Sequence, residues 1–152
     1  MAINTTFTTG AVLTAAQMNN LPWGVAGKAK TTANQSLSSA SQFITNTSVS
    51  WTADSTRLYK LTAFAYFQTT AGAGSLFAGI FPTSGSRIAE GGNYGAAGTY
   101  SSICVVAYEE GLSGVQTRQI KAQFLSGGIT AATIIADATF PTMLIVEDIG
   151  AA

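Results

Sequence analysis

The stretch Arg57-Leu-Tyr-Lys-Leu-Thr-Ala-Phe-Ala-Tyr-Phe67 decides the fold class of this chain. Successive side chains of a β-strand point to opposite faces, and here both faces carry aromatic residues. One face would hold Tyr59, Leu61, Ala63, Ala65 and Phe67, and the other Lys60, Thr62, Phe64 and Tyr66. Such a strand is predicted to lie centrally in a sheet, with a second sheet covering one face and a neighbouring subunit covering the other.

Seven further segments show strand-like patterns of β-branched and aromatic residues: 42–51, 75–81, 87–90, 100–109, 115–125, 129–136 and 142–147. Gly-rich turns separate several of them, and no second helical pattern interrupts the series. About eight short strands without alternating helices argue against β-α units. The fold class is therefore predicted to be all-β, an antiparallel β-sandwich or jelly roll spanning residues 28–152.

Residues 1–27 are predicted to form an extended N-terminal arm with one short helix near residues 14–20. Thr14 can accept hydrogen bonds from the first turn, and Gln17 stands three residues later, as in a capping box. Asn20 and Pro22 would end the helix after one or two turns. A helix this short is not stable alone in water, so its apolar side chains must dock onto another surface.

The arm carries large apolar side chains on a segment too short to bury them by itself: Phe7, Leu13, Met18, Leu21 and Trp23. These residues are predicted to bind a partner, with Trp23 as a hot spot at the junction with the body. The alternative is that the arm folds back and caps its own sandwich. Loss of particle binding without loss of stability in Trp23 and Leu13 variants would distinguish the two.

The charge composition argues against several classes of partner. Only 9% of the 152 residues are charged, and seven basic residues balance seven acidic ones. No basic field is present to attract nucleic acid or a membrane surface, so neither is expected as a partner. A neutral surface repels its own copies weakly, which suits dense packing in an assembly. The N-terminal sequence lacks the features of a signal peptide, so synthesis in a cytoplasm without export is expected.

Residues able to perform chemistry are scarce. The chain contains no histidine and one cysteine. Cys104 lies in an apolar run and is expected to be a buried small hydrophobe rather than a nucleophile. The paired carboxylates Glu109-Glu110 and Glu147-Asp148 could bind a hard cation or act as acid and base, but solvated or salt-bridged carboxylates are the default at strand ends. No catalytic, cofactor-binding or metal-binding residues are assigned.

The segment 91–98 contains four glycines in eight residues and is expected to be a loop. Its spacing does not match a phosphate-binding motif, so flexible turns are the favoured interpretation. Tyr94 and Tyr100 are the residues that a receptor-binding loop here would use. A glycan receptor is therefore retained as a possible partner.

Both ends of the sequence resemble bacteriophage virion proteins. The motif Phe7-x-x-Gly10-x-x-Leu13-Thr-Ala-Ala-x-Met-Asn19-x-Leu21-Pro-Trp-Gly24 resembles the start of minor tail and tail-fibre proteins. The ending Leu144-Ile-Val-Glu-Asp-Ile-Gly150 resembles the terminal strand of small β-domains in the same class. The resemblance implies a jelly roll like those of the tumour-necrosis-factor and C1q families, which are commonly trimeric. No fibrous shaft follows the motif, unlike in fibre proteins.

The leading functional hypothesis is a non-enzymatic structural component of a phage particle, either a capsid decoration protein or a small tail or fibre protein. It would be made in the host cytoplasm, reside in the virion, bind other capsid or tail proteins through its arm and form a homo-oligomer, with a trimer favoured by the resemblance. The alternatives are a carbohydrate- or receptor-binding module of a tail fibre and, less favoured, a hydrolase acting on host polysaccharide.

Overall fold

Eleven β-strands and one short helix are formed by the residues that the structure, a computed structural model, describes: 14–37, 41–124 and 128–152. The elements are α1 (Ala15–Asn19), β1 (Gly24–Thr31), β2 (Gln35–Leu37), β3 (Ser41–Phe43), β4 (Val49–Ala53), β5 (Arg57–Ala71), β6 (Ala73–Pro82), β7 (Ala89–Ala96), β8 (Tyr100–Glu109), β9 (Gly114–Phe124), β10 (Ala131–Ile134) and β11 (Thr142–Ala151). No helix in this described part is long and apolar enough to cross a membrane.

The strands form two antiparallel sheets. The first sheet has the order β1-β11-β5-β10-β2, with β8 also paired to β5. The second has the order β3-β9-β6-β7, with β4 also paired to β9. In the first sheet, β10 and β11 share one position beside β5, opposite β8, and their outer partners β2 and β1 share the next position. In the second sheet, β3 and β4 share one position beside β9. The eleven segments therefore occupy eight strand positions, in agreement with the predicted jelly roll of about eight strands.

The core lies between the two sheets and follows the predicted alternation. Along β5 the inward-facing side chains are buried, from Tyr59 to Phe67, and the intervening ones are half-buried on the other face. Strand β9 alternates in the same way, with Ile120, Ala122 and Phe124 inward. The period-two pattern read from the sequence is thus confirmed in both strands.

The short helix begins as predicted. Thr14 Oγ1 accepts a hydrogen bond from the Gln17 backbone amide (3.2 Å), and the Thr14 amide donates to Gln17 Oε1 (2.8 Å). These two reciprocal bonds form the capping box. The helix ends at Asn19, and after four intervening residues Gly24 begins β1, which pairs with β11. Residues 24–27, assigned to the arm from sequence, therefore form the start of an edge strand.

Two expectations about loops and strands were wrong. The segment 42–51 is not one strand, because a turn separates β3 from β4, and Asn46 adopts a positive φ of 60° that asparagine tolerates better than most residues. The segment 91–98 is not a loop, because Ala89–Ala96 forms β7 and pairs with β6. Neighbouring side chains leave no room for a Cβ at its glycines: a Cβ on Gly92 would lie 2.6 Å from the Phe77 ring.

Candidate functional site

The outward side of the first sheet is rich in apolar and aromatic side chains. Strand pairing places Ile145, Thr62 and Val106 in one row across three strands, and Met143, Phe64 and Cys104 in the next. We call this side the apolar face and define it by eight residues: Phe64, Tyr66, Tyr100, Cys104, Val106, Tyr108, Met143 and Ile145. Val106 remains 46% exposed and Tyr108 61% exposed. Exposed apolar side chains grouped in this way are typical of protein interaction sites.

Cys104 belongs to this face, so the expectation that it is buried was wrong. Its neighbours Ile103 and Val105 point into the core, and alternation therefore directs the thiol outward, where it is exposed. The run Ile103–Tyr108 is apolar at nearly every position because both faces of β8 are apolar, and only one of them is covered by the second sheet. The same reason accounts for the exposure of Val106.

The margins of the apolar face are polar and ordered. Tyr66 and Tyr100 stack with ring centroids 5.7 Å apart. At the other end, Lys60 Nζ donates to Glu147 Oε2 at 3.0 Å, and both side chains are about one-third exposed. This hydrogen bond, with the attraction of the Glu147 carboxylate, raises the pKa of Lys60. Lys28 and Lys30 on β1 lie opposite Ile145 and Met143 at the outer edge. Charge is therefore confined to the rim.

The outward side of the second sheet is more polar. Ser50 and Thr117 are hydrogen-bonded at 2.8 Å across β4 and β9, and Gln123 is hydrogen-bonded to Glu90. Four aromatic side chains also lie on this side: Phe43, Phe77, Phe81 and Tyr94. Lys121 Nζ lies 5.3 Å from the Phe43 centroid and 5.1 Å from that of Phe81, while Tyr94 and Val115 are 68% and 75% exposed. The two outward faces therefore differ in charge rather than in exposure: Lys121 and Glu90 lie within the second sheet, whereas charge is confined to the rim of the apolar face.

A second candidate region lies at the end of the sandwich where β1 begins and β11 ends. Arg57 and Asp148 are only 2% and 3% exposed, and Arg57 Nε donates to Asp148 Oδ2 at 2.8 Å. Arg57 Nη2 donates to the Leu21 carbonyl at 2.7 Å, and the guanidinium lies 4.3 Å from the centroid of the Trp23 ring. One buried arginine therefore ties the last residues of the arm to the body.

The predicted arm residues divide between described and undescribed parts of the chain. Phe7 and Leu13 lie outside the described residues. Met18, Leu21 and Trp23 are all exposed, and Trp23 is 63% exposed although one face of its ring rests against Arg57. Apolar side chains at this end thus remain open to a partner, and the binding role assigned to them stays a prediction.

The two tyrosines assigned to a receptor loop do not flank a loop. Tyr94 lies on β7 in the second sheet, opposite Ser75, and Tyr100 begins β8 in the first sheet, opposite Gln68. Both are exposed, and only a short turn at 97–98 separates the strands that carry them. Tyr100 stacks on Tyr66, so its surroundings belong to the apolar face. Their role in receptor binding stays a prediction.

Three of the four paired carboxylates form ion pairs. Glu109 accepts two hydrogen bonds from Arg118, at 2.9 and 2.8 Å, while Glu147 pairs with Lys60 and Asp148 with Arg57. Within the described ranges, no group of three or more cysteine, aspartate or glutamate side chains could hold a metal ion. The salt-bridged state, which is the default for carboxylates at strand ends, is what the structure shows for these three.

Sequence reasoning did not single out Val106, Tyr108 or Arg57. The first two could have been found by applying the period-two rule to β8, whose alternate residues are apolar on both faces. Arg57 gave no such signal, because its partner Asp148 is 91 residues away in the chain. Only the pairing of β5 with β11 brings them together.

Comparison with known proteins identifies the architecture. No family model matches the chain, and no curated protein matches it. Murine APRIL is similar in structure with a TM-score of 0.52 and 8% identity, over 83% of this chain and 99% of that one. The Eiger TNF from S. frugiperda gives a TM-score of 0.50 and 10% identity, over 85% and 94%. The fold is a TNF-like jelly roll. A protein of the T13 IBDV viral particle matches more weakly, with a TM-score of 0.40 and 12% identity over 82% of this chain and 36% of that one. At these identities the TNF-like similarity shows the fold alone.

Proposed function

We propose that this chain is a non-enzymatic structural component of a bacteriophage particle, which forms a homotrimer through the apolar face and attaches to capsid or tail proteins by its N-terminal arm. The observation that carries the proposal is the apolar face itself, which has exposed aromatic and aliphatic side chains at its centre and charged side chains only at its rim. The phage assignment is supported by the resemblance of residues 7–24 and 144–150 to virion proteins. The non-enzymatic part of the proposal is supported by the ion pairing of three of the four carboxylates that a hydrolase would need, namely Glu109, Glu147 and Asp148.

A second copy of the chain is the occupant that best fits the apolar face. Protein interfaces are enriched in tyrosine, other aromatics and methionine and depleted of charge at their centre, which is the composition of this face. Its charged residues lie at the rim, where they would stay hydrated. Every copy carries the same surface, so a closed symmetric assembly covers it without another protein. The preference for three copies over two rests on the resemblance to trimeric jelly rolls.

Substituting a lysine in the apolar face is expected to break the assembly. In the Val106→Lys variant, an ammonium group would have to be desolvated at the interface, so we expect monomers where the unaltered chain forms trimers at micromolar concentration. The measurement is molar mass by light scattering. Val115→Lys is the matched control, since Val115 is 75% exposed on the outward side of the second sheet. A monomeric unaltered chain, or an intact Val106→Lys oligomer, would contradict the proposal.

The arm is tested separately by Trp23→Ala. Truncating an interface hot spot typically costs about 2–4 kcal/mol of binding free energy, so incorporation of the variant into particles should fall steeply. Its melting temperature should change little, because the ring is largely exposed and an exposed cation–π contact contributes about 0.5–1 kcal/mol.

Incorporation is measured by quantitative blotting of purified particles, with Trp23→Phe as the control that retains an aromatic ring over Arg57. If incorporation falls only as far as stability does, the arm caps its own sandwich instead of binding a partner.

A further inference from the structure

The outward side of the second sheet carries an aromatic surface that the proposed assembly leaves uncovered. Phe77 on β6 pairs with Gly92 on β7, and its ring atoms Cε1 and Cδ1 lie 2.6 and 2.7 Å from the position that a Cβ on Gly92 would take. The half-buried Phe77 ring therefore lies across the backbone of β7. Tyr94 follows two residues later on the same face and is 68% exposed. Diagonal neighbours of this kind lie about 7–8 Å apart, within reach of two aromatic side chains.

Polar side chains border the Phe77 ring on the other side. Gln123 on β9 pairs with Phe77 and is half-buried, and its Nε2 donates to Glu90, which leaves the amide oxygen as an acceptor. Arg87 Nη1 also donates to Glu90, but the Arg87 side chain remains 60% exposed, so other N–H groups of its guanidinium are open to a ligand. Glu90 is only 9% exposed and holds these two side chains in place.

Charge at this surface is balanced. The Glu90 carboxylate is neutralised by Arg87. Lys121 also lies on this side, but its Nζ sits over two other rings, 5.3 Å from the Phe43 centroid and 5.1 Å from that of Phe81. Neither sign of charge dominates beside Phe77 and Tyr94, so charge complementarity favours a neutral ligand.

The open apolar area is too small for a stable protein partner. A buried phenylalanine or tyrosine contributes at least about 150 and at most about 250 Å². Phe77 and Tyr94 together therefore supply no more than about 500 Å², whereas a stable protein interface needs about 800 Å² from each partner. Phe43 and Phe81 do not extend this area, because the Lys121 ammonium group lies over both rings. A small ligand fits the surface better than a protein does.

We propose that the surface formed by Phe77, Tyr94, Gln123 and Arg87 binds a neutral oligosaccharide. The C–H groups of a sugar ring carry small positive charges and pack against the negative face of an aromatic ring. Sugar hydroxyl groups both donate and accept hydrogen bonds, which matches the Gln123 amide oxygen and the Arg87 N–H groups. Glu90 and Tyr94 are four residues apart on an extended strand, about 13 Å, so the site can hold more than one sugar ring.

The inference goes beyond the proposed function. The site lies on the side of the sandwich opposite the apolar face, so it stays accessible whether or not the chain assembles. It also differs from the receptor loop predicted from the sequence, because Tyr100 lies on the first sheet and takes no part in it.

Saturation-transfer NMR tests the site, because it detects weak binding through the protons of the sugar. The full chain is titrated separately with maltotriose, cellotriose, chitotriose and mannotriose, which are uncharged, and with trigalacturonate as the anionic comparison. At least one uncharged sugar is expected to give a saturable signal, with half-saturation at about 1 mM, because a flat site covers only one side of its ligand. Trigalacturonate should bind more weakly. Light scattering on the same samples reports the assembly independently, so failure here and failure of the proposed function are distinguishable.

Two variants and a control separate specific binding from a general effect. Tyr94→Ala removes an exposed ring that the core does not need, and Gln123→Leu replaces the amide by an apolar group of similar size. Each should weaken binding by about tenfold or more. Val115→Ala, at the opposite end of β9 on the same side, should bind as the unaltered chain does. If no uncharged sugar gives a saturable signal, if Tyr94→Ala binds unchanged, or if trigalacturonate binds most tightly, the proposal is overturned.

Discussion

Replacing Asp148 with alanine is expected to lower the free energy of unfolding by about 3–5 kcal/mol, the usual cost of removing one partner of a buried ion pair. Arg57 would remain buried without its carboxylate, and the Gly150 amide would lose its acceptor Asp148 Oδ1, now 3.0 Å away. The arm would be released as well, because Arg57 is the group that holds Leu21 and Trp23. Chemical denaturation at a fixed protein concentration measures the loss.

The neighbouring residue provides a matched control. Glu147 also forms an ion pair, with Lys60, but on the outward face where both side chains are about one-third exposed. Exposed pairs contribute little, so Glu147→Ala should cost far less than Asp148→Ala. A double variant, Arg57→Met with Asp148→Leu, removes both charges and should recover much of the lost stability. Similar losses of stability in Asp148→Ala and Glu147→Ala would show that burial of the Arg57–Asp148 pair does not determine the cost of removing its carboxylate.

Gly72→Ala is expected to produce the second large effect. Gly72 has a φ of +79°, which L-residues other than glycine rarely adopt, and a Cβ there would overlap the Gly128 carbonyl oxygen. The atom that the Cβ would meet belongs to the backbone, which cannot move aside as the end of a flexible side chain can. The conformational strain costs about 1–2 kcal/mol, and forcing an extra carbon into a packed site adds about 1–3 kcal/mol.

Gly98→Ala separates these two costs. Gly98 has a similar φ of +84°, but no atom lies within 4 Å of the position that its Cβ would take. It should therefore show the strain alone, and the difference between the variants in denaturation midpoint gives the cost of the clash. Equal losses would mean that the turn between β5 and β6 can move away from Gly128.

Periodicity predicted those parts of the fold that depend on burial. The alternation in β5 and β9 was sufficient to assign their inward faces, and local spacing was sufficient for the Thr14–Gln17 capping box. It could not predict β7, because its glycines are needed to make room for Phe77 and Thr69, which lie far away in sequence. It also could not predict which carboxylate meets which cation, since Arg57 meets Asp148 only through strand pairing.

The candidate sites were predicted less completely for the same reason. Apolar residues on both faces of 57–67 and 100–108 indicated an uncovered face, and the structure places both strands side by side. The grouping of Trp23 and Trp51 at one end of the sandwich had no sequence signal, because Trp23 precedes β1 of the first sheet and Trp51 lies on β4 of the second. Each ring lies against an arginine: the Arg57 guanidinium carbon is 4.3 Å from the Trp23 centroid, and that of Arg118 is 5.5 Å from the Trp51 centroid.

Because β1 pairs antiparallel with β11, the start of the first strand and the end of the last strand lie at the same end of the sandwich. Gly24 lies opposite Asp148, and the Ala152 amide donates to the Thr56 carbonyl, so the chain enters its first strand and leaves its last at one pole of the sandwich. The turn at 97–98 lies at the opposite pole, because β8 runs away from it toward Glu109 beside Tyr59. A tag fused after Ala152 would therefore lie close to the arm and would obstruct the partner that the arm is proposed to bind. An epitope spliced into that turn would instead point outward, away from the anchored end.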